Sequence, residues 1–132
     1  MSEVSAARPA EAARVDPPAG DGGAPLTIAE DRIGRRSVLS VVGEVDISSA
    51  ADLQAAIEAT APRASETWVD LSETTFMDSS GLHAMSRARA RLTDANVRLV
   101  LVCAGGPVMR VLELTGFDRL FEIHADRREL NS

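Results

Sequence analysis

The sequence predicts an α/β fold: an open mixed sheet of about five strands, mostly parallel after an N-terminal hairpin and flanked by about three to four helices. Two observations lead to this prediction. Short β-prone segments alternate with segments of helical period along most of the chain, which is typical of strand–helix–strand crossovers in a parallel sheet. The strand predicted over residues 97–102 is almost uniformly apolar, as expected for a central strand covered on both faces.

The first predicted element is a β-hairpin. Leu26–Asp31 alternates apolar and polar side chains, as a strand with one buried face does, and Val38–Val42 is a second, more buried strand. Between them, Arg32–Arg36 contains Gly34 and has the composition of a turn. We therefore expect the two strands to pair antiparallel, and we expect Gly43–Asp46 to end the second strand.

Three helices are predicted from their caps and apolar stripes. The first begins at Ser49, with Asp52 three residues later in an arrangement like a capping box, and Pro62 ends it. The second starts at a pair of serines, and the third has Pro107 at its first position and Gly116 as its C-terminal cap. The expected inward-facing positions are Leu53, Ala56, Ile57 and Thr60; Leu82, Met85, Ala88 and Leu92; and Val108, Val111, Leu112 and Thr115.

Three further strands complete the predicted sheet. They are Thr67–Leu71, Val97–Val102 and Leu120–Ile123, which are short, β-prone and bounded by turn residues or helices. Asp126–Leu130 is predicted to begin a terminal helix. Cys103 lies at the end of an apolar strand, so we expect a small core residue there and not a redox sensor.

Length and composition limit the functions that this chain can have. Its 132 residues suit a single domain over residues 25–132, preceded by a predicted disordered tail, residues 1–24, that is rich in Ala, Pro and Gly. The net charge of −6 argues against sequence-independent binding of nucleic acid. The sequence contains no apolar run of about 18 residues, which a membrane-spanning helix would need, and no signal-peptide pattern. We therefore expect a cytoplasmic protein without membrane insertion. His83, His124 and Cys103 do not have metal-ligand spacing.

The most informative segment runs from a predicted strand through a short loop into the second helix. Asp78, Ser79 and Ser80 are residue types whose side-chain oxygen caps a helix N-terminus. The Ser79 hydroxyl is thus expected at the positive end of a helix dipole, where free N–H groups favour an added phosphate. The residues alone leave two roles open for Ser79, that of a phosphoacceptor and that of a plain helix cap.

The sequence resembles the anti-sigma factor antagonists, the bacterial STAS domain family, over about residues 26–125. The resemblance implies a STAS-like open sheet and a phosphoacceptor directly after the motif aspartate, which is Ser79, with Ser80 as the secondary candidate. The block Asp78–Leu82 that follows a strand is specific to the family. Four blocks occur in family order and at family spacing: Gly43–Asp46, Val69–Ser72, Phe76–Leu82 and Val100–Phe117.

The resemblance also implies a mechanism of partner switching. In such proteins the unmodified antagonist captures an anti-sigma factor and frees a sigma factor. The anti-sigma factor is a serine kinase with a histidine-kinase-like ATPase fold, which phosphorylates the antagonist and then releases it. A metal-dependent serine phosphatase restores the unmodified form. The chain would then be a binding protein and no enzyme, with no cofactor or metal of its own.

Several residues are expected to support the phosphorylation site. Asp78 is expected to orient the Ser79 hydroxyl or help to hold a metal-bound kinase complex, or only to cap a backbone N–H. Asp46 matches an acidic family position, or is an ordinary turn residue. His83, where the family usually has a small residue, is four residues after Ser79, so it either pairs with a phosphate there or is solvated. The predicted supporting set is Asp78, Ser80, Gly81 (for close approach), Asp46, Glu44 and His83.

Two other functions compete with that of an antagonist. An enzyme is disfavoured because no Gly-x-Ser-x-Gly elbow surrounds Ser79, His83 is too close in sequence to act as a distant base, and no Gly-x-Gly-x-x-Gly follows a strand. The stronger alternative is a non-switching STAS subunit of a larger assembly, such as a lipid-transport complex or a stress-signalling scaffold. There Asp78–Gly81 would form a docking surface or a small-ligand site.

Overall fold

The computed structural model describes residues 25–131, so the predicted tail, residues 1–24, lies outside the described part of the chain. The strands are β1 (Thr27–Ile33), β2 (Arg36–Val45), β3 (Glu66–Asp70), β4 (Thr74–Met77), β5 (Arg98–Val102) and β6 (Glu122–His124). The α-helices are α1 (Ala50–Glu58), α2 (Ser79–Asp94) and α3 (Pro107–Thr115). Short 3₁₀ helices lie at Ala61–Arg63, Phe117–Arg119 and Arg128–Asn131.

The six strands form one mixed sheet that is mostly parallel. Five of them lie in the order β1-β2-β3-β5-β6, and β4 pairs with β2 outside this path. Only the hairpin pair β1 and β2 is antiparallel among the described strands, because the chain between the two members of every later pair contains a helix. The predicted class, a mixed sheet that turns parallel after a starting hairpin, is confirmed.

The sequence prediction was wrong about the end of β2 and about the loop before α2. Strand β2 continues to Val45 because four residues of that loop, β4, pair beside its end. Strand β2 pairs with β3 up to Ser40 and with β4 from Gly43 onward, and the register of the β4 pairing shifts between Gly43 and Glu44. Gly43 has a φ of +114°, and a Cβ there would lie 2.2 Å from the Pro25 carbonyl oxygen, so only glycine fits this bend.

The three α-helices cover one face of the sheet and form the main core with it. Helix α1 packs against α2, and α3 packs against β4. All four predicted inward residues of α2 are buried, as are Leu53, Ile57, Val108 and Leu112 on the other two helices. Strand β5 is central, as predicted: Leu99 and Leu101 belong to this core, and Val100 and Val102 belong to a second cluster. Cys103 is buried in the main core, which confirms its predicted place.

Other local predictions need correction. Ser49 is the N-cap residue of α1, but no capping box forms, because its Oγ accepts from the backbone N–H of Asp46 (3.0 Å) and does not cap α1. Thr115 is exposed and donates back to the Val111 carbonyl oxygen (2.8 Å). The last strand starts at Glu122 because the preceding residues form a 3₁₀ turn, and the terminal helix is a 3₁₀ helix.

The face of the sheet opposite the helices is covered by the C-terminal segment, residues 126–131, which we call the strap. Leu130 is buried against a cluster made by Val38, Trp68, Val100 and Val102. Arg127 binds Asp70 (Nε to Oδ2, 2.5 Å) and donates to the Ser40 hydroxyl (2.7 Å). Arg36 donates to the Leu130 carbonyl oxygen (2.8 Å). The strap is thus held by burial of one leucine and by hydrogen bonds at both of its ends.

A row of alternating charges crosses four strands beside the strap. Arg36 and Arg98 flank Glu66 at 3.2 and 2.8 Å, and Arg98 also donates to Glu122 (Nε to Oε1, 2.9 Å). His124 lies 3.0 Å from Glu122. The hydrogen bond from Arg98, the largest effect, and that from His124 lower the pKa of Glu122 from its usual 4.5 to about 2, although burial raises it. Glu122 is therefore ionised throughout the neutral range.

We predict that the strap stabilises the fold chiefly through Leu130. Leu130→Ala should lower the free energy of unfolding by about 2 kcal/mol, because it removes most of a buried side chain. Arg127→Met should cost about 1 kcal/mol, since its ion pair is half-buried. Urea unfolding followed by the fluorescence of Trp68, the only tryptophan, measures both. The control is Arg128→Met, whose partner Asp126 is exposed. A Leu130→Ala protein as stable as this control would contradict the prediction.

We also predict an acid-dependent loss of stability through Glu122. Its pKa is lower in the folded than in the unfolded chain, so its contacts stabilise the fold above pH 4.5, and this contribution is lost as the pH falls through about 2. Between these values the unfolding free energy of the wild type should decrease more steeply than that of Glu122→Gln. Glu113→Gln, at an exposed residue, should behave as wild type. Equal slopes for wild type and Glu122→Gln would rule this contribution out.

Candidate functional site

The predicted phosphorylation loop lies where the carboxyl ends of β2 and β4 meet. Val45 and Met77 are register partners in this parallel pair, and the backbone N–H of Asp78 donates to the Val45 carbonyl oxygen (3.2 Å). Because the two strands end side by side, the residues that follow them, Asp46 and Asp78, leave the sheet at the same edge. The structure therefore brings together the two acidic segments that the sequence analysis singled out.

Asp78 is the N-cap of α2. Its backbone is extended, and its Oδ1 accepts from the N–H groups of Ser80 (2.9 Å) and Gly81 (3.3 Å). These are two of the N–H groups that have no partner within the helix. The capping role that the sequence left open for Ser79 thus belongs to Asp78.

Ser79 is the first residue of α2, a helix of 16 residues, and it is exposed. Its hydroxyl makes no hydrogen bond to any of residues 25–131. A group attached to this oxygen would stand at the positive end of the helix dipole without displacing a structural contact. Ser80 is half-buried, so its hydroxyl is the less accessible of the pair. Its backbone N–H takes part in the cap.

Gly81 allows α2 to approach the β2–β4 pair closely. A Cβ at this position would lie 2.7 Å from Met77 Cγ and 2.8 Å from Val45 Cγ1, both well inside normal contact distance. The close approach predicted for Gly81 is thus a contact within the chain, between α2 and the side chains of Val45 and Met77. The absence of a side chain at Gly81 therefore fixes where α2 begins relative to the sheet.

The loop between β2 and α1 is ordered around the carboxylate of Asp46. Oδ1 of Asp46 accepts from the Ser48 hydroxyl (2.7 Å) and backbone N–H (3.0 Å), and it lies 3.2 Å from the Ser49 hydroxyl. The hydrogen bond from the Ser48 hydroxyl, above all, lowers the pKa of Asp46, although burial raises it. Asp46 therefore keeps its negative charge, and the folded loop presents Ile47, whose side chain is 81% exposed.

The family follows from a match over most of the chain. A model of the family described as "Mlab, STAS domain" matches residues 28–122. The chain belongs to the STAS domain family. The resemblance recognised from the four sequence blocks is thereby confirmed. No functionally curated protein matches the chain significantly.

Solved structures of anti-sigma factor antagonists resemble this STAS domain. One from Mycobacterium paratuberculosis has 28% identity and a TM-score of 0.72, with 80% of this chain and 90% of that chain covered. SpoIIAA in its unphosphorylated form has 18% identity, a TM-score of 0.66, and 80% and 94% coverage. The phosphorylated form of SpoIIAA, a Bacillus cell fate determinant, has 18% identity, a TM-score of 0.61, and 80% and 97% coverage. The SpoIIAA matches show a shared fold.

His83 and Glu44 are the outer members of the predicted site. His83 is exposed, one helical turn after Ser79, and α2 begins early enough to put both on one side of the helix. Its ring meets Phe117 edge to face, with centroids 6.1 Å apart. Glu44 pairs in register with Phe76 on β4, and its carbonyl oxygen lies 3.2 Å from the Ser49 hydroxyl. The pairing of His83 with a phosphate stays a prediction.

Two exposed apolar side chains near this STAS site are not evident from the sequence pattern. Ile47 lies between Asp46 and Ser48 in a turn, and Phe76, 44% exposed, lies on β4. An isoleucine inside a polar turn is the sequence feature that would have identified the first. Phe76 was missed together with its strand. Both side chains give the edge of the site an apolar component.

The described residues provide neither a metal site nor a membrane span. No group of three or more His, Cys, Asp or Glu side chains in residues 25–131 is arranged to hold a metal ion. Within the same range, no helix combines the length and apolar character needed to cross a membrane.

We predict that Gly81→Ala destabilises the domain although it adds a helix-favouring residue. The new Cβ must displace Val45 and Met77, which costs about 1–3 kcal/mol and outweighs the gain in helix propensity of about 1 kcal/mol. Urea unfolding measures the difference. His83→Ala, at an exposed position of the same helix, serves as control and should change stability by less than about 0.5 kcal/mol. A Gly81→Ala protein as stable as wild type would contradict the prediction, because α2 and the β2–β4 pair could then move apart at no cost.

Proposed function

We propose that this STAS domain is an anti-sigma factor antagonist switched by phosphorylation. In its unphosphorylated form it sequesters an anti-sigma factor serine kinase of the histidine-kinase-like ATPase fold and so releases a sigma factor. Phosphorylation of Ser79 then causes release of the kinase. The observation that supports this most directly is the free, exposed hydroxyl of Ser79 at the start of a long helix whose cap is supplied by Asp78.

The physics of the site favours a switch that acts on the partner and leaves the fold unchanged. A phosphate adds about 1.5 to 2 negative charges. The N-terminus of α2 tolerates this charge, but the charge adds to Asp46 and Asp78 on the surface that a partner must contact. An interface that accommodates a neutral hydroxyl would be weakened. A loss of about 3–4 kcal/mol lowers affinity roughly 100- to 1000-fold, which is enough for release.

The proposal assigns the chemistry to partners of the chain. The kinase supplies the phosphate, and a metal-dependent serine phosphatase removes it. Nothing in the described residues activates Ser79 as a nucleophile, because its hydroxyl has no hydrogen-bonded base. Ile47 and Phe76 add exposed apolar area on the two segments that lead into this edge, which suits a protein partner.

A second candidate is a non-switching STAS subunit of a larger assembly, such as a lipid-transport complex or a stress-signalling scaffold. The family match shows a STAS domain and does not distinguish between a switched antagonist and this use of the fold. A small-ligand site at Asp78–Gly81 has less support. A cavity of about 210 Å³ is lined by residues near the start of α3, including Cys103, Gly105 and Pro107, and by none of residues 78–81.

We predict that a negative charge at Ser79 abolishes capture of the kinase. Wild type, Ser79→Ala and Ser79→Asp are used as baits in lysate of the source cells, and retained proteins are identified by mass spectrometry. Wild type and Ser79→Ala should retain a histidine-kinase-like ATPase, and Ser79→Asp should lose it. With ATP, the purified ATPase should phosphorylate wild type and leave Ser79→Ala unmodified.

The control is Ser65→Asp. Ser65 is exposed and directly precedes β3, so it lies at the opposite end of the parallel strands from Ser79. This variant carries the same added charge and should still retain the ATPase. Retention of the same transporter or scaffold subunits by all four baits would contradict the switch and favour the second candidate.

A further inference from the structure

An exposed basic row on α2 starts one turn after Ser79. Every fourth residue of the helix after Ser79 is exposed, and these residues are His83, Arg87 and Arg91. Residues four apart on a helix are neighbours on its surface, with a rise of about 6 Å per step. The row is therefore a continuous strip that leads away from the candidate phosphoacceptor along the outer side of the helix.

The two arginines of this row have no partner within residues 25–131. Their side chains form neither an ion pair nor a hydrogen bond there, and exposed Asp94, three residues after Arg91, does not pair with it. The arginines of the opposite sheet face are engaged by carboxylates, as Arg98 is by Glu66 and Glu122. A chain with a net charge of −6 thus leaves a positive strip on the helix that begins beside Asp78.

We propose that His83, Arg87 and Arg91 form a docking row for an acidic surface of the same protein partner that covers Ser79. A phosphate on Ser79 weakens this docking by offsetting positive charge at the near end of the row. This inference rests on the proposed function. The partner chemistry is set by charge complementarity, since guanidinium groups without internal partners are available for paired hydrogen bonds to carboxylates.

The spacing explains why a phosphate affects the row. His83 is about 6 Å and Arg87 about 12 Å along the helix axis from Ser79. The screening length at physiological salt is about 8 Å, so the phosphate is felt strongly at His83, partly at Arg87 and weakly at Arg91. A phosphate of about 1.5 to 2 negative charges therefore offsets positive charge chiefly at the end of the row nearest Ser79, at His83 and partly at Arg87. Phosphorylation would then remove an attraction as well as add a repulsion.

The test compares two charge reversals of equal size in the full chain. Arg87→Glu with Arg91→Glu alters the row. Arg110→Glu with Arg119→Glu alters two exposed arginines on α3 and the turn after it, and neither has an ion-pair partner among the described residues. The probe is the ATPase retained by the Ser79→Ala bait, purified, nuclease-treated and titrated at low and at physiological salt. Circular dichroism and Trp68 fluorescence confirm that both variants fold.

We expect the row variant to bind the ATPase at least 10-fold more weakly than wild type and to lose most of the salt dependence of binding. The control pair should stay within about 2-fold. Arg87→Lys with Arg91→Lys should restore the salt dependence and part of the affinity, because lysine keeps the charge but lacks the paired hydrogen bonds of a guanidinium. If both double variants lost the same amount of affinity for the ATPase, the docking row would be wrong, because the effect would then come from the net charge of the chain. A loss that is seen only when the nuclease treatment is left out would overturn the assignment to a protein surface.

The outcomes separate this inference from the proposed function. If the row variant binds as wild type while Ser79→Asp still loses the ATPase, the docking row is wrong and the switch stands. If Ser79→Asp binds as tightly as wild type, the switch fails, and coupling between phosphate and row fails with it. The row is then judged by the charge reversals alone.

Discussion

The pairing of β4 with the end of β2 is the constraint on which the site depends. It places Val45 beside Met77, and the hydrogen bond from the Asp78 N–H to the Val45 carbonyl oxygen joins the two strand ends. From this point Asp78 caps α2, and Gly81 lets the helix lie close to both strands. The exposure of Ser79 is a consequence, because the residue before it caps the helix and the residues after it pack inward.

The two faces of the sheet have separate tasks. The helical face contains the main core and presents the edge with Ser79. The opposite face is closed by the strap and by a row of alternating charges, in which arginines and carboxylates satisfy one another. Because neither of these features contacts Asp78–Gly81 through the bonds described, the site can change its charge without disturbing the contacts that close the second face.

The parts of the fold that could be predicted are those with a strong periodic pattern. The stripe of α2 and the apolar run of β5 determine burial almost regardless of context, so both were placed correctly. Strand β4 could not be predicted, because it has only four residues, of which two are exposed and two are buried. They gain their strand geometry only by pairing with the end of β2. Asp78 and Ser79 have similar capping propensities, so only the folded backbone decides which of them caps α2. The predicted capping box at Ser49 does not form, because the Ser49 hydroxyl accepts a hydrogen bond from the backbone N–H of Asp46 and not from the first turn of α1.

A chemical switch on a small domain must change binding without unfolding the domain, and the position of Ser79 meets both demands. The start of α2 offers N–H groups and a positive dipole end, so an added phosphate costs the fold little. The neighbouring carboxylates of Asp46 and Asp78 are held in place by hydrogen bonds and cannot move away from the new charge. The repulsion therefore falls on whatever contacts this edge from outside. A basic row that begins one turn further along the same helix extends this effect, since the charge that repels an acidic partner also cancels the attraction that held it.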